Sequence, residues 1–198
     1  MAYPKAEIYL PELNGNYPGS YSQFGEDGII DACFDVIGVH NAWCFEVGAC
    51  NGETLSNTLW FRFHRGWHAV LAEADELLAS QLIAKYGDRY HCVHETVTDV
   101  DELLSRFDAP KHIDLVSIDV DGQDYWLWHD MVEFHPRVVC IEYNPYMSHN
   151  GQPNNDFMVA RGQKGQTAAN PLIQLGESRG YTLAARTYCN LIFVRLLE

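Results

Sequence analysis

Basic residues are scarce in this sequence. Its 198 residues include 13 Lys and Arg against 27 Asp and Glu, which gives a formal net charge of -14 at pH 7 with neutral histidines. Proteins that bind nucleic acid or dock on anionic membranes carry the opposite balance, because they must neutralise phosphate groups. The composition therefore argues against nucleic acid and membrane as partners.

Long apolar runs and export signals are absent as well. No window approaches the roughly 18 apolar residues of a membrane span, and no basic segment followed by an apolar one opens the chain. The six cysteines include no CxxC pair, and most of them fall in apolar segments, as reduced core thiols do. These absences predict a soluble, cytoplasmic protein.

The length and the 47% hydrophobic content suit one domain with a sizeable core. We predict a single domain over 1–198 with a polar lead segment over 1–21. A stretch rich in Asn, Gln and Gly over 144–166 has no periodicity, and a loop of that length in a compact domain is usually functional or disordered. We expect it, with Tyr143 and Tyr146, to form a substrate loop or lid.

Between these segments, short apolar runs alternate with helical patterns. The predicted strands cover 43–47, 67–74, 90–95, 113–119 and 137–143. The predicted helices cover 22–38 with Ser22 as N-cap, 53–65, 75–86, 99–107 and 123–134. A helix over 167–179 and a hairpin of strands over 181–188 and 191–197 follow the loop. Alternation of this kind predicts an α/β, doubly wound, Rossmann-like parallel sheet that ends in an antiparallel pair, with helices on both faces.

The loop after the first predicted strand lacks the GxGxxG fingerprint of a dinucleotide site. It reads Glu46-x-Gly48-x-x-x-Gly52 and holds no Lys or Arg to meet phosphate. A carboxylate at this point would repel a pyrophosphate and attract a cation. The glycines would let the backbone approach a ligand closely.

Glu73 ends the next predicted strand, where an acid can accept hydrogen bonds from both hydroxyls of a ribose. A ribose with a cationic, phosphate-free neighbour indicates S-adenosylmethionine, whose carboxylate would meet backbone N–H groups or the region of Ser22 and Gln23. The alternative is that Glu73 is only a solvated acid at a helix start.

Seven short stretches occur in a characteristic order from about residue 20 to the end. They are SQFGED (22–27), FEVGA (45–49) with Gly52, SNT (56–58), VLAEAD (70–75), SIDVDG (117–122), IEYNP (141–145) and NLIFV (190–194). In this ordered set the chain resembles the FkbM-like group of class I S-adenosylmethionine-dependent methyltransferases. The resemblance implies a seven-stranded sheet, five parallel strands plus the C-terminal hairpin, and methyl transfer to a hydroxyl, often on a sugar or natural product.

The resemblance also implies roles for individual residues. Glu46 and the glycines would line the cofactor, Glu73 would hold the ribose, Thr96 or its neighbours would flank the adenine, and Asp119 would lie at the methionine end. The full set expected at the cofactor is Gln23, Glu46, Gly48, Ala49, Gly52, Ser56, Glu73, Ala74, Thr96 and Asp119. Many members have Asp-Val-Glu-Gly-x-Glu where this chain has the shorter acids Asp121 and Asp124, which moves both carboxylates by about a methylene.

Asp119 and Asp121 follow the fourth predicted strand, and Glu142 and Asn144 follow the fifth. Adjacent parallel strands lie roughly 4.8 Å apart, so these groups should converge beside the transferred methyl. One interpretation takes Asp119, Asp121, Glu142, or a nearby His129 or His149, as a general base.

A second interpretation takes the three acids and Asn144 as oxygen ligands of a divalent cation. In a third, Asp121 and Asp124 cap a short helix and Glu142 pairs with an arginine. Tyr125, Trp126 and Trp128 either form an aromatic wall for a sugar or belong to the core.

The function that these residues favour is O-methyl transfer from S-adenosylmethionine to a small hydroxylated acceptor, a sugar or glycan before others. One alternative is a methyltransferase-like binding module without turnover. The other is a nucleotide-sugar or dinucleotide enzyme on a similar sheet.

Overall fold

One mixed β-sheet runs through the part of the chain that the computed structural model describes, residues 6–10, 13, 17–147 and 167–195. Its strands are β1 (Glu7–Ile8), β2 (Trp43–Val47), β3 (His68–Glu73), β4 (His91–His94), β5 (Leu115–Ile118), β6 (Val138–Glu142), β7 (Thr182–Arg186) and β8 (Asn190–Val194). The helices of the same residues are α1 (Glu26–Ile37), α2 (Leu59–His64), α3 (Glu76–Tyr86), α4 (Val100–Arg106), α5 (Asp124–Asp130) and α6 (Ala169–Ser178).

The strand order is β1-β7-β8-β6-β5-β2-β3-β4. Strands β2 to β6 pair in parallel, whereas β8 pairs antiparallel with both β6 and β7. The predicted doubly wound α/β sheet with a C-terminal hairpin is therefore confirmed. The described sheet has eight strands rather than seven, because Glu7 and Ile8 of the predicted lead segment pair with β7.

The chain reverses its direction of travel across the sheet at β2. It passes from β2 outward to β3 and β4 and then crosses back to β5, so β2 and β5 are neighbours without being consecutive. In open α/β sheets, ligands bind beyond the carboxyl ends of the strands at such a switch point. The loops that follow β2 and β5 are therefore the first place to look for a site.

Both faces of the sheet are covered by helices. One core cluster joins the sheet to α1, α2 and α3, and a second joins it to α4, α5 and α6. Alternate residues of a strand serve opposite faces, as Cys44 and Phe45 of β2 do. Trp128 is fully buried in the second cluster against Tyr181 and Phe193, so it belongs to the core and not to a sugar-binding wall.

Two helix starts differ from the prediction. The first helix begins at Glu26 with Gly25 as N-cap at φ +88°, not with Ser22. The Ser22 hydroxyl still accepts the N–H of Asp27 at 3.1 Å. The helix predicted from residue 53 begins only at Leu59, because residues 56–58 bind the carboxylate of Glu46.

In the described ranges, no helix combines the length and the apolar character that crossing a bilayer requires. All six cysteines carry free thiols. Burial raises the pKa of Cys33 and Cys44 to about 12, so both remain protonated at neutral pH. Of the predicted substrate loop, residues 148–166 and with them His149 lie outside the described residues.

Candidate active site

Glu46, near the end of β2, organises the loop that follows it. Its carboxylate is buried and accepts hydrogen bonds from the hydroxyls of Ser56 and Thr58, each at 2.7 Å, and from the backbone N–H of Asn57 at 2.8 Å. The acid thus closes the chain segment 47–58 into a fixed loop. Its negative charge lies at the switch point, while its oxygens are engaged by the protein itself.

Arg62 of α2 completes this arrangement, and sequence reasoning missed it. The side chain is fully buried and donates to the Thr58 hydroxyl at 3.1 Å, the Ser56 hydroxyl at 3.2 Å and the Gly52 carbonyl at 2.5 Å. The same two hydroxyls bind Glu46, so cation and carboxylate are linked through them. The one signal in the sequence was an arginine placed among aromatic residues in LWFRFH.

The glycines of the loop serve close packing within the protein. Gly48 has φ +79°, and a Cβ there would lie 1.7 Å from the carbonyl oxygen of Asp119. Gly52 has φ +84°, and a Cβ there would lie 2.7 Å from a methyl of Leu82. The N–H groups of Gly48 and Ala49 both donate to the Ala72 carbonyl at 3.0 Å. Gly48 therefore draws the carboxyl ends of β2, β3 and β5 together.

Glu73 lies at the carboxyl end of β3, 8% exposed. Its carboxylate accepts the N–H of Cys50 at 2.7 Å and that of Asp75 at 2.8 Å, which links the two neighbouring loops. The next predicted cofactor residues, Ala74 and Thr96, are both exposed beside it at the ends of β3 and β4. These three positions lie at the carboxyl ends of the adjacent strands β3 and β4.

The loop after β5 is shaped by a carboxylate of its own. Asp124 is buried and accepts the N–H groups of Val120 at 2.9 Å and Gly122 at 2.8 Å, while Asp121 is exposed with φ +57°. Burial raises the pKa of Asp124 to about 6. The α5 N-cap is Gln123, so Asp124 supports the loop rather than capping the helix from outside.

Asp119 lies at the centre of the acidic edge. Burial, as the largest cause, and the neighbouring carboxylates Asp124, Asp121, Glu46 and Glu26, in that order, together raise its pKa to about 7. A carboxyl group with such a pKa is held close to several negative charges and away from water. The site consequently favours either a proton on Asp119 or a cation next to it.

A small aromatic cluster borders the acids at the ends of β6 and β8. The rings of Phe24 and Tyr188 lie 5.2 Å apart, and those of Tyr146 and Tyr188 lie 6.3 Å apart. The two tyrosine hydroxyls are hydrogen bonded to each other. Asn144 accepts the N–H of Tyr146 at 2.8 Å and so holds this ring beside the carboxyl end of β6.

The SQFGED segment joins the site through its acids. Glu26 accepts hydrogen bonds from the Thr187 hydroxyl at 2.6 Å and the Asn190 amide at 3.3 Å, which fixes the start of α1 to the β7–β8 hairpin. Gln23 is exposed next to Cys189, whose thiol lies 3.8 Å from its amide oxygen. The structure thus brings Gln23 to the same edge as Glu142.

His129, predicted as a general base, lies away from the acids of this site. It lies five residues beyond Asp124 on α5, roughly 8 Å along a helix that runs back from the carboxyl edge. Its ring bonds Asp130 at 2.7 Å, and its carbonyl accepts from Arg179, which precedes β7 at the opposite edge of the sheet.

The divalent-cation hypothesis finds no support. Among the residues that the structure describes, no three His, Cys, Asp or Glu side chains are grouped as metal ligands would be.

No protein-family model matches the chain, and a search of curated proteins finds no match. Among solved structures, the magnesium protoporphyrin IX methyltransferase ChlM from Synechocystis PCC 6803, with bound SAH, has a TM-score of 0.54 at 14% identity over 86% of this chain and 81% of its own. The chain has the Rossmann-like fold of a methyltransferase.

Two further structures share this methyltransferase fold. TrmK from M. capricolum, in complex with S-adenosyl-homocysteine, has a TM-score of 0.51 at 10% identity over 90% of this chain and 70% of its own. The CurJ carbon methyltransferase has a TM-score of 0.53 at 12% identity over 87% of this chain and 53% of its own. At such identities the likeness shows the fold alone, and the FkbM-like resemblance stays a hypothesis.

Proposed function

We propose that the protein is an S-adenosylmethionine-dependent methyltransferase that acts on a hydroxyl of a small acceptor, a sugar or glycan before others. The observation that carries the proposal is the acidic edge at the β2–β5 switch point, where the pKa of Asp119 is raised to about 7 by burial and by other carboxylates. A cation bound there would relieve that repulsion.

The donor groups at this edge fit the proposed cofactor. Glu46, Glu73 and Asp119 form no direct ion pair with any Lys or Arg among the described residues. Arg62 reaches Glu46 only through shared hydroxyls, so carboxylates dominate the local field. Such a field attracts a sulfonium and an ammonium group and repels a pyrophosphate. This is the physical reason to prefer S-adenosylmethionine to a dinucleotide.

Each side chain has a task in this proposal. Glu73 would accept the ribose hydroxyls, Ala74 and Thr96 would border the adenine, and Asp119 and Gln23 would meet the amino group and the carboxylate of the methionine end. The bound cofactor would supply the electrophilic methyl group. The protein would align the acceptor oxygen and exclude water. These two effects supply most of the rate of a displacement at carbon.

Proton removal falls to the remaining acids of the edge. A carboxylate within hydrogen-bond reach of the acceptor hydroxyl takes its proton as the oxygen attacks. Asp121 lies in the loop after β5 and Glu142 is the last residue of the adjacent β6, and we assign this role to one of them. Asp119, nearer the cofactor, would be held as a carboxylate by the positive charge beside it.

The choice of a sugar-like acceptor rests on the aromatic cluster of Phe24, Tyr146 and Tyr188. Tyr146 is 84% exposed and its ring stands beside the acidic edge. An aromatic face next to hydrogen-bonding oxygens suits the alternating apolar and hydroxylated surfaces of a sugar ring. The surrounding acids disfavour an anionic acceptor.

Calorimetry tests the cofactor first. We expect S-adenosylhomocysteine to bind at micromolar strength and NAD not to bind. Glu73→Gln should weaken the interaction on the order of tenfold, because one charged acceptor is lost. Glu133→Gln is the matched control, because Glu133 is an exposed acid that pairs with Lys111 before β6, and it should leave the affinity unchanged. Binding of NAD without binding of the adenosyl compound would refute the proposal.

Turnover tests the acceptor and the base. A panel of glycans is incubated with a donor carrying a labelled methyl group, and Asp121→Asn and Glu142→Gln are compared with the parent. One of the two variants should lose most of the methyl transfer while keeping the affinity for S-adenosylhomocysteine. Tight cofactor binding without transfer to any hydroxylated acceptor would instead favour a binding module.

A further inference from the structure

A small basic pocket lies at the amino edge of the sheet, opposite the acidic site. Its volume is about 230 Å³, and His135, Arg179, Tyr181 and Arg195 supply its polar lining. His135 precedes β6, Arg179 and Tyr181 precede β7, and Arg195 follows the antiparallel β8. The topology therefore places all four residues at the edge where the parallel strands begin. Nothing in the proposed methyl transfer uses this pocket.

Two arginines meet here without a carboxylate partner. Among the described residues, neither Arg179 nor Arg195 forms an ion pair, although acidic residues outnumber basic ones by 27 to 13 in the chain. The Arg179 guanidinium is fixed by the backbone carbonyls of Trp128, His129 and Met131. Arg195 lies over the ring of Tyr181, 5.8 Å from its centre.

The neighbouring acids are engaged elsewhere. Asp101 is 8% exposed, and its carboxylate accepts three backbone N–H groups at 2.7, 2.8 and 3.2 Å from residues 132–134. Its charge is therefore already committed to a turn of the chain. Glu133 pairs with Lys111 at 2.7 Å, and Asp130, whose charge also acts on Arg179, bonds the ring of His129 at 2.7 Å.

The pKa of His135 is lowered in these surroundings. Its ring lies 5.9 Å from that of His112. Burial lowers its pKa most, Arg195, His112 and Arg179 lower it further, and Asp101 alone acts in the opposite direction. An imidazole in these surroundings gains a proton readily only when a negative charge enters the pocket.

We propose that this pocket binds a small oxyanion, a phosphate or the phosphate group of a compact monoester, held directly by Arg195 and His135. Arg179 acts as a fixed charge behind them. The guanidinium fork matches the oxygens of a phosphate group, and Arg179 needs no rearrangement because backbone carbonyls already hold it. The exposed Val132, also in the lining, offers an apolar rim to the substituent of a monoester.

Anion binding and protonation of His135 must then be linked. A bound phosphate raises the pKa of His135, and equally the protonated ring binds a phosphate of given charge more tightly. This coupling gives a readout that a merely structural role of the arginines would not produce.

NMR titration of the histidine ring protons tests the proposal, with inorganic phosphate and phenyl phosphate as separate probes and chloride at matched ionic strength as the reference. We expect either phosphate to raise the pKa of His135 by about half a unit or more. Tighter binding of phenyl phosphate would identify a monoester as the better ligand, and equal binding would identify phosphate itself. No change at His135, or an equal change at every histidine, overturns the proposal.

Variants separate the pocket from general charge. Arg195→Gln should weaken phosphate binding by about tenfold, whereas Arg195→Lys should retain part of it. Arg89→Gln is the matched control, since Arg89 also lies over aromatic rings without a described ion pair but outside the pocket. Equal loss in Arg89→Gln and Arg195→Gln overturns the assignment. Binding of S-adenosylhomocysteine should be unaffected by either variant, so the pocket and the proposed activity are tested independently.

Discussion

At the scale of single residues, Gly48 shows that a glycine expected to serve a ligand can be required by packing within the protein. The glycine was expected to let the backbone of the loop approach a ligand closely. In the structure the close approach is to the carbonyl of Asp119, across the β2–β5 switch point. A side chain would force apart the two loops on which the proposed site is built.

Gly48→Ala should therefore destabilise the protein severely. Its φ of +79° strains any other residue, and a Cβ would overlap the Asp119 carbonyl at 1.7 Å, so we expect a loss of about 3 kcal/mol or more. Gly66→Ala is the control, because Gly66 has φ +69° with nothing within 4 Å and should cost only about 1 kcal/mol. Denaturant unfolding measures both; similar losses would show that steric overlap at Gly48 is relieved cheaply.

The acids of the site were predictable because strand ends are predictable. Alternating apolar runs place Glu73, Asp119 and Glu142 at the carboxyl ends of parallel strands, and such ends share one edge. The partners of these acids were not predictable. Arg62 reaches Ser56 and Gly52 only once a loop has folded back over α2, and no periodicity in the sequence reports that.

His129 lies away from these acids for a related reason. It is close in sequence to Asp121, but a helix intervenes and carries it away from the carboxyl edge. Proximity along the chain was taken as proximity in space.

At the scale of elements, the predicted strands and helices were found wherever a periodic pattern was long enough. Where the predicted and observed elements differ, contacts with residues distant in sequence override the local pattern. Residues 53–58 have helical periodicity, yet Leu55 adopts φ +56° and the next three residues bind Glu46. Strand β1 is two residues long, too short to give a period, and exists because β7 offers it a free edge.

A buried ion pair fixes α1 to the amino edge of the sheet. Asp114 is fully buried and accepts the N–H groups of residues 40–42. Arg137 lies 3.2 Å from the same carboxylate and donates to the carbonyls of Gly38 at 2.6 Å and Ile37 at 2.7 Å. These bonds satisfy the last carbonyls of the helix, which it leaves unpaired.

Breaking that pair should destabilise the whole protein. Asp114→Ala leaves a guanidinium buried without its carboxylate, and we expect a loss of about 3–5 kcal/mol. Arg106→Gln, which breaks the exposed pair with Glu95, should cost about 1 kcal/mol or less. The double variant Asp114→Ala/Arg137→Met should be less destabilised than the sum of its single changes. Additive losses in denaturant unfolding would show that the two side chains act independently.

At the scale of the whole molecule, charge is separated between the two edges of the sheet. Acids gather beyond the carboxyl ends of β2, β3, β5 and β6, while Arg179 and Arg195, neither of which has a described ion pair, lie at the amino edge. With a net charge of -14, the carboxyl edge has the stronger field. Such a field steers a cationic ligand to one end of the molecule.

The same concentration of acids sets how stability depends on pH. Burial and neighbouring acids raise the pKa of Asp119 from its ordinary value of 3.8 to about 7, and burial raises that of Asp124 to about 6. Between these limits the folded protein holds protons that the unfolded chain has released. Stability contributed by the protonated acids is therefore present below the ordinary pKa and is lost as the pH rises toward 7.

Asp119→Asn tests this dependence, because it removes the charge and keeps the shape. At pH 8 the variant should be more stable than the parent by on the order of 1–2 kcal/mol, and near pH 4 the two should be alike. His135, whose lowered pKa makes stability rise with pH, is unchanged in both proteins and cancels from the comparison. The test compares the free energies of unfolding of the two proteins, measured in denaturant at each pH. A variant that is less stable than the parent at pH 8 would mean that the Asp119 carboxylate is held by favourable contacts, and the acidic edge would then have no need of a cationic ligand.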